Sequence, residues 1–113
     1  MEMNVVDLDA ATRRIELAGR LDTAGVGAIE SKFSAVASGR VRGTLVDLSQ
    51  VTFVASMGIR MIVSCAKSAA ARGGRLILIS PQPLVGQSLK DTGIDQIVPV
   101  AADEAGAREF LRT

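Results

Sequence analysis

The chain contains no histidine, no tryptophan and no tyrosine, and it has one cysteine, Cys65. Without histidine, Ser-His-Asp and Cys-His catalysis, imidazole acid–base chemistry and most zinc sites are excluded. Carboxylates are the only remaining metal ligands of weight, and the 12 acidic residues show no clustered ligand spacing. A lone cysteine forms no internal disulfide, which fits a reducing compartment. Three phenylalanines are the only aromatics, so a base-stacking platform for nucleic acid is missing. The 13 basic and 12 acidic residues are interspersed, giving a net charge of +1 and no basic run. There is no glycine-rich phosphate loop, and no apolar run approaches the ~20 residues of a membrane span. The start, Met1-Glu2-Met3-Asn4, lacks the basic and long apolar regions of a signal peptide. These absences argue against an enzyme, a cofactor, a metal centre, nucleic acid and membrane. They leave the expectation of a cytoplasmic, soluble protein that is a monomer or weak dimer.

What is present is a globular composition. Hydrophobic residues make up 48% and charged residues 22% of 113 residues, enough for one domain over 1–113 with a core that needs no covalent staple.

Asn4–Leu8 and Arg13–Ala18 read as two short strands joined by the polar link Asp9–Thr12. Ile15 and Leu17 alternate with Arg14 and Glu16, as a half-buried strand requires. The run Gly19–Thr23 then breaks the strand. Asp22 or Thr23 is placed to cap a helix starting near Ala24, with Val26, Ile29, Phe33 and Val36 on one face and Gly39 as its stop. Thr44–Leu48 is a third, continuously apolar strand. A second helix over Met57–Ala71 ends at Gly73-Gly74, and Arg75–Ser80 is the strongest strand. Pro81 and Pro83 open a third helix through Leu84, Val85 and Leu89 that stops near Gly93. Gln96–Val100 is a last strand, and Asp103 caps a last helix in which Ala107, Phe110 and Leu111 can pack inward. The order β-β-α-β-α-β-α-β-α implies an α/β fold: a mixed, mostly parallel sheet with about four helices on it, joined by right-handed crossovers.

On the second helix, Ile59, Ile62, Val63, Ala66 and Ala70 fall within a core-wide stripe. Met57, Met61, Ser64 and Ser68 fall opposite, so two methionines are expected to face solvent beside Ser56. Methionine suits adaptable binding surfaces, although scattered exposed apolar residues are also ordinary. Ser56 stands where strand gives way to helix. As an N-cap its oxygen accepts a backbone N–H, worth ~1 kcal/mol. The same helix end tolerates a phosphate, whose charge of about −1.5 to −2 would disrupt an apolar interface.

The stretch Asp47-Leu48-Ser49-Gln50-Val51-Thr52-Phe53, followed by Ser56-Met57-Gly58-Ile59, resembles the signature of the STAS domain, and more narrowly the bacterial anti-sigma factor antagonists. Leu17-Ala18-Gly19-Arg20-Leu21-Asp22, Gly73-Gly74-Arg75-Leu76 and Leu89-Lys90-Asp91-Thr92-Gly93-Ile94 fit the same pattern. The resemblance implies a non-enzymatic partner-switching protein. Its partner is an anti-sigma factor that is also a serine kinase, and a phosphatase reverses the modification. Carried onto this chain, Ser56 is the phospho-acceptor and Asp22 the acidic residue of the neighbouring loop. The implied interface is Asp22, Ala55, Ser56, Met57, Gly58, Arg60, Met61 and Ser64. The family's turn usually reads Asp-Ser-Ser/Thr-Gly; Ala55 and Met57 replace the acid and the second hydroxyl here. A second reading is an unphosphorylated STAS interaction module in a signalling assembly, secretion switch or transporter accessory complex.

Overall fold

A computed structural model describes residues 1–37 and 41–112. The described residues form five strands and four helices: β1 (Glu2–Asp7), β2 (Thr12–Leu21), α1 (Thr23–Ala37), β3 (Gly43–Val54), α2 (Ser56–Ala71), β4 (Arg75–Ile79), α3 (Pro83–Asp91), β5 (Val100–Ala101) and α4 (Glu104–Leu111). A single turn of 3-10 helix, Ile94–Gln96, precedes β5.

The sheet order is β1-β2-β3-β4-β5. β1 runs antiparallel to β2, and the pairs β2–β3, β3–β4 and β4–β5 are parallel. The mixed, mostly parallel sheet expected from the element order is therefore present. Successive residues of β4 serve opposite faces, as strand geometry demands. Leu76 and Leu78 join the main core with residues of α1, α2 and α3, while Ile77 and Ile79 join a smaller core with Leu45, Ala101 and Ala107 on the α4 side. This is why the strand reads as an unbroken apolar run.

Two strands are longer than their sequence suggests. β2 passes through Gly19 at φ 117°, a conformation that side chains rarely adopt, and the register with β3 shifts on both sides of that point. The glycine that reads as a strand breaker is a bulge, so the strand continues to Leu21. β3 likewise runs on to Val54, keeping step with the extended β2 through the pairs Arg20↔Phe53 and Leu21↔Val54. The last strand, expected over Gln96–Val100, is only Val100–Ala101: Gln96 closes the 3-10 turn, and residues 97–99 lead into the strand without being part of it.

The capping expectations hold at α1 and α4. Asp22 Oδ1 accepts from Gly25 N at 2.9 Å, and Asp103 Oδ1 accepts from Gly106 N at 2.8 Å. Gly93 adopts φ 77° just after α3, where a left-handed residue ends a helix. The Gly39 stop lies outside the described residues. Within α4, Ala107 is buried and Leu111 half-buried as expected, whereas Phe110 is exposed.

Candidate functional site

The parallel strands β2 and β3 end side by side, and each is followed at once by a helix. Val54 pairs with Leu21, and Ala55 N donates to Leu21 O at 2.8 Å. The N-termini of α1 and α2 therefore share one edge of the sheet, so two positive dipole ends meet there. Close packing enforces the arrangement. A Cβ on Gly58 would stand 3.0 Å from both Leu21 Cβ and Leu21 O, and one on Gly25 would stand 1.9 Å from Arg20 O.

Ser56 is exposed at this edge, but it is not the cap of α2. Ala55 occupies the N-cap position, extended at φ −95° and ψ 174°, and the helix start has no side-chain cap. Ser56 is the first helical residue, and its hydroxyl makes no hydrogen bond among the described residues. The capping expectation fails because β3 continues through Val54, leaving a single linking residue. That residue is alanine, which brings no acceptor. The first turn of α2 also lacks an acidic residue, so its positive end is uncompensated.

Met57 lies beside Ser56 and is exposed; Arg60 and Ser64 are exposed too. Met61, expected on the same surface, is buried. The buried residues of α2 are Gly58, Met61, Ile62, Cys65 and Ala69, while Ile59, Val63 and Ala66 are half-buried and Ala70 is exposed. The core-facing stripe is thus rotated from the expected one by about one residue's turn, roughly 100°. The cause is α1. α2 packs both on the sheet and against α1, with Ser34 Oγ of α1 3.7 Å from Cys65 Sγ, and Met61 and Cys65 lie in the main core. The branched residues Ile59 and Val63 sit at its outer margin. Burial raises the pKa of the Cys65 thiol, and the Ser34 hydroxyl opposes part of that rise.

Asp22 is half-buried beside the Ala55 turn, and its carboxylate is already engaged. Its bond from the Gly25 N–H, aided by Arg20 at 3.3 Å, holds its pKa below the ordinary 3.8. Arg20 in turn lies over Phe53, with its guanidinium carbon 4.4 Å from the ring centroid. Sequence reasoning missed this Arg20–Phe53 pair. The available signal was an aromatic two residues before Ala55 on a strand whose neighbours Val51 and Val54 face inward. Phe53 is 40% exposed and Met57 37%, so the edge offers two large apolar side chains beside Ser56.

A concavity lies elsewhere, a cleft of about 650 Å³ over β1–β3 lined by Glu2, Asn4, Glu16, Asp47 and Gln50 among others. Two of its carboxylates are bonded within the fold: Glu16 to Asn4 and Arg14, and Asp47 to the Ser49 N–H. Among the described residues no group of His, Cys, Asp and Glu is arranged to hold a metal ion.

Over residues 4–99 the sequence matches the family described as Mlab, STAS domain. The chain belongs to the STAS-domain family. It is 28% identical over 97 residues to BtrV of Bordetella bronchiseptica, a candidate anti-sigma factor antagonist, covering 86% of this chain and 84% of that one. Among solved structures it resembles the anti-sigma factor antagonist SpoIIAA in its unphosphorylated form, with TM-score 0.78, 25% identity, and 98% and 96% of the two chains covered. SpoIIAA, a Bacillus cell fate determinant, has also been solved in the phosphorylated form, with TM-score 0.70, 24% identity, and 98% and 100% covered. An anti-sigma factor antagonist from Mycobacterium paratuberculosis shares the fold with TM-score 0.86 at 20% identity, over 99% and 94% of the chains. The STAS fold and the likeness to anti-sigma factor antagonists expected from the Ser56 region are both present. In this STAS domain no helix of the described residues is long and apolar enough to cross a membrane.

Proposed function

We propose that this STAS protein is a cytoplasmic anti-sigma factor antagonist. Its unphosphorylated form binds an anti-sigma factor that is also a serine kinase, through Asp22, the Ala55–Gly58 turn and the exposed residues Arg60 and Ser64 of α2. Phosphorylation of Ser56 ends the complex, and a phosphatase restores it. Met61 is buried and so drops out of the surface.

One observation carries the reading: Ser56 is exposed at an uncapped helix N-terminus, and its hydroxyl makes no hydrogen bond among the described residues. A kinase can therefore reach it, and the helix end accommodates a phosphate. The fold tolerates the modification, whereas a partner resting on Met57 and Phe53 must desolvate or repel about two negative charges. A cost of ~3 kcal/mol lowers affinity more than a hundredfold. The similarity to SpoIIAA, whose two phosphorylation states have both been solved, supports the same assignment.

The test is intact-mass analysis after incubation with ATP and the kinase encoded beside the gene. A gain of one phosphate in the wild type, absent in Ser56→Ala, is expected, and Ser56→Asp should lose the complex while staying folded. The apolar residues Ala55 and Met57 around the hydroxyl favour a second reading, a permanently unphosphorylated binding module. Unmodified Ser56 in a protein that still binds its partner would select it.

A further inference from the structure

Along the solvent side of α2 runs a shallow groove of about 370 Å³, lined by Ile59, Arg60, Val63, Ser64 and Lys67. Ile59 and Val63 give it an apolar floor, being half-buried against the main core. Arg60 and Lys67 form an exposed cationic rim. Ser56, Arg60, Val63 and Lys67 follow at i, i+4, i+7 and i+11, so Ser56 heads the same face. No acid occurs anywhere in α2. Arg13, Arg14, Arg20, Arg108 and Arg112 are all ion-paired. Arg60 and Lys67 have no ion pair among the described residues.

From the groove's form and charge, the geometry points to an acidic amphipathic segment of the partner protein as its occupant. Its apolar side chains seat on Ile59 and Val63, and its carboxylates meet Arg60, Lys67 and the positive end of α2. This rests on the binding function proposed above and adds Ile59, Val63 and Lys67 to the interface. The groove is continuous with the Ser56 surface, and its charge suits a narrow acidic strip. An acidic occupant also explains how a phosphate would break the complex. On Ser56 it would place its charge where the partner's carboxylates approach, and it would compete for Arg60 one turn away.

The experiment measures association kinetics with the anti-sigma factor encoded beside the gene, at low and physiological salt, for wild type, Lys67→Glu, Lys67→Gln and Lys67→Arg. Thermal melts run alongside. Lys67→Glu should slow association about tenfold and flatten its salt dependence, Lys67→Gln about threefold, and Lys67→Arg should preserve both. Melting should not move; if Lys67→Glu melts early, Lys67→Gln decides. Wild-type binding with unchanged rates and salt slopes in the charge variants overturns the acidic segment and leaves the antagonist function standing. No wild-type binding overturns that function and this inference with it. Sedimentation with phosphatidylglycerol vesicles is the remaining arm: Lys67-dependent cosedimentation would replace the protein segment with lipid headgroups.

Discussion

The backbone N–H of Ala55 is bonded to the carbonyl of Leu21 at 2.8 Å, so the residue before Ser56 is tied to the residue before Asp22. The two loops move together, and Gly58 is the residue that lets them close. Gly58→Ala gains up to ~1 kcal/mol of helix propensity. The new methyl then presses on Leu21 Cβ and O at 3.0 Å, an overpacking that costs ~1–3 kcal/mol. The expected net result is a loss of about 1 kcal/mol in urea unfolding, with weaker partner binding as the loops part. Unchanged stability and affinity would show that the joint gives way freely.

Gly25→Ala should be worse. Its Cβ would lie 1.9 Å from the Arg20 carbonyl oxygen, and a backbone atom cannot swing aside as a side chain can. A loss on the order of 3 kcal/mol or more is expected, read as a lower denaturation midpoint at constant slope.

Met61 separates stability from binding. Met61→Ala should cost about 2–5 kcal/mol as a buried cavity. Met61→Glu should cost more, because a carboxylate would be buried in the main core. Any binding loss in these variants should follow the unfolded fraction. A folded Met61→Glu protein with selectively lost binding would return this residue to the surface.

Ser56→Ala should change stability by less than ~0.5 kcal/mol, since no capping bond is lost. Ser56→Asp should be neutral or stabilising by roughly 0.3–1 kcal/mol through the helix dipole, more so at low salt. Thermal melts of the three proteins suffice. A marked loss in Ser56→Ala would mean the hydroxyl has a structural partner.

Two pH dependences follow from the shifted groups. Asp22 has a folded pKa below its ordinary value, so its contribution is present at neutral pH and is lost as pH falls through the depressed folded value. Asp22→Asn should therefore flatten the acid limb of the stability curve below about pH 4. Cys65 is shifted upward by burial, so its thiolate fraction at neutral pH is smaller than that of a free thiol. Alkylation should be slow in the native protein, accelerate only at alkaline pH, and become immediate in denaturant.

Much of this was legible in the sequence. An unbroken apolar run placed β4, prolines and glycines bounded α3 and the C-terminal end of α2, and the Asp22 and Asp103 caps follow from local chemistry. The STAS assignment is carried by residues 17–22, 47–59, 73–76 and 89–94, and the family match spans 4–99. What was not legible depended on neighbours distant in the chain. The face of α2 is set by α1, which lies about 30 residues earlier, and helical periodicity alone favoured the branched Ile59 and Val63 over Met61 and Cys65. Gly19 was read as a breaker because a bulge exists only relative to a partner strand. Ser56 looked like a cap until the pairing of Val54 with Leu21 shifted the helix start by one residue. The Arg20–Phe53 contact arises from the same pairing of extended strands.

The smaller core of Leu45, Ile77, Ile79, Ala101 and Ala107 lies across the sheet from the core that carries Ser56 and α2. Changes there would alter how much folded protein a cell retains without altering how tightly each folded molecule holds its partner. Under the proposed antagonist function, abundance and affinity are thus adjustable from opposite sides of one sheet, which suits a protein that would act by titrating another.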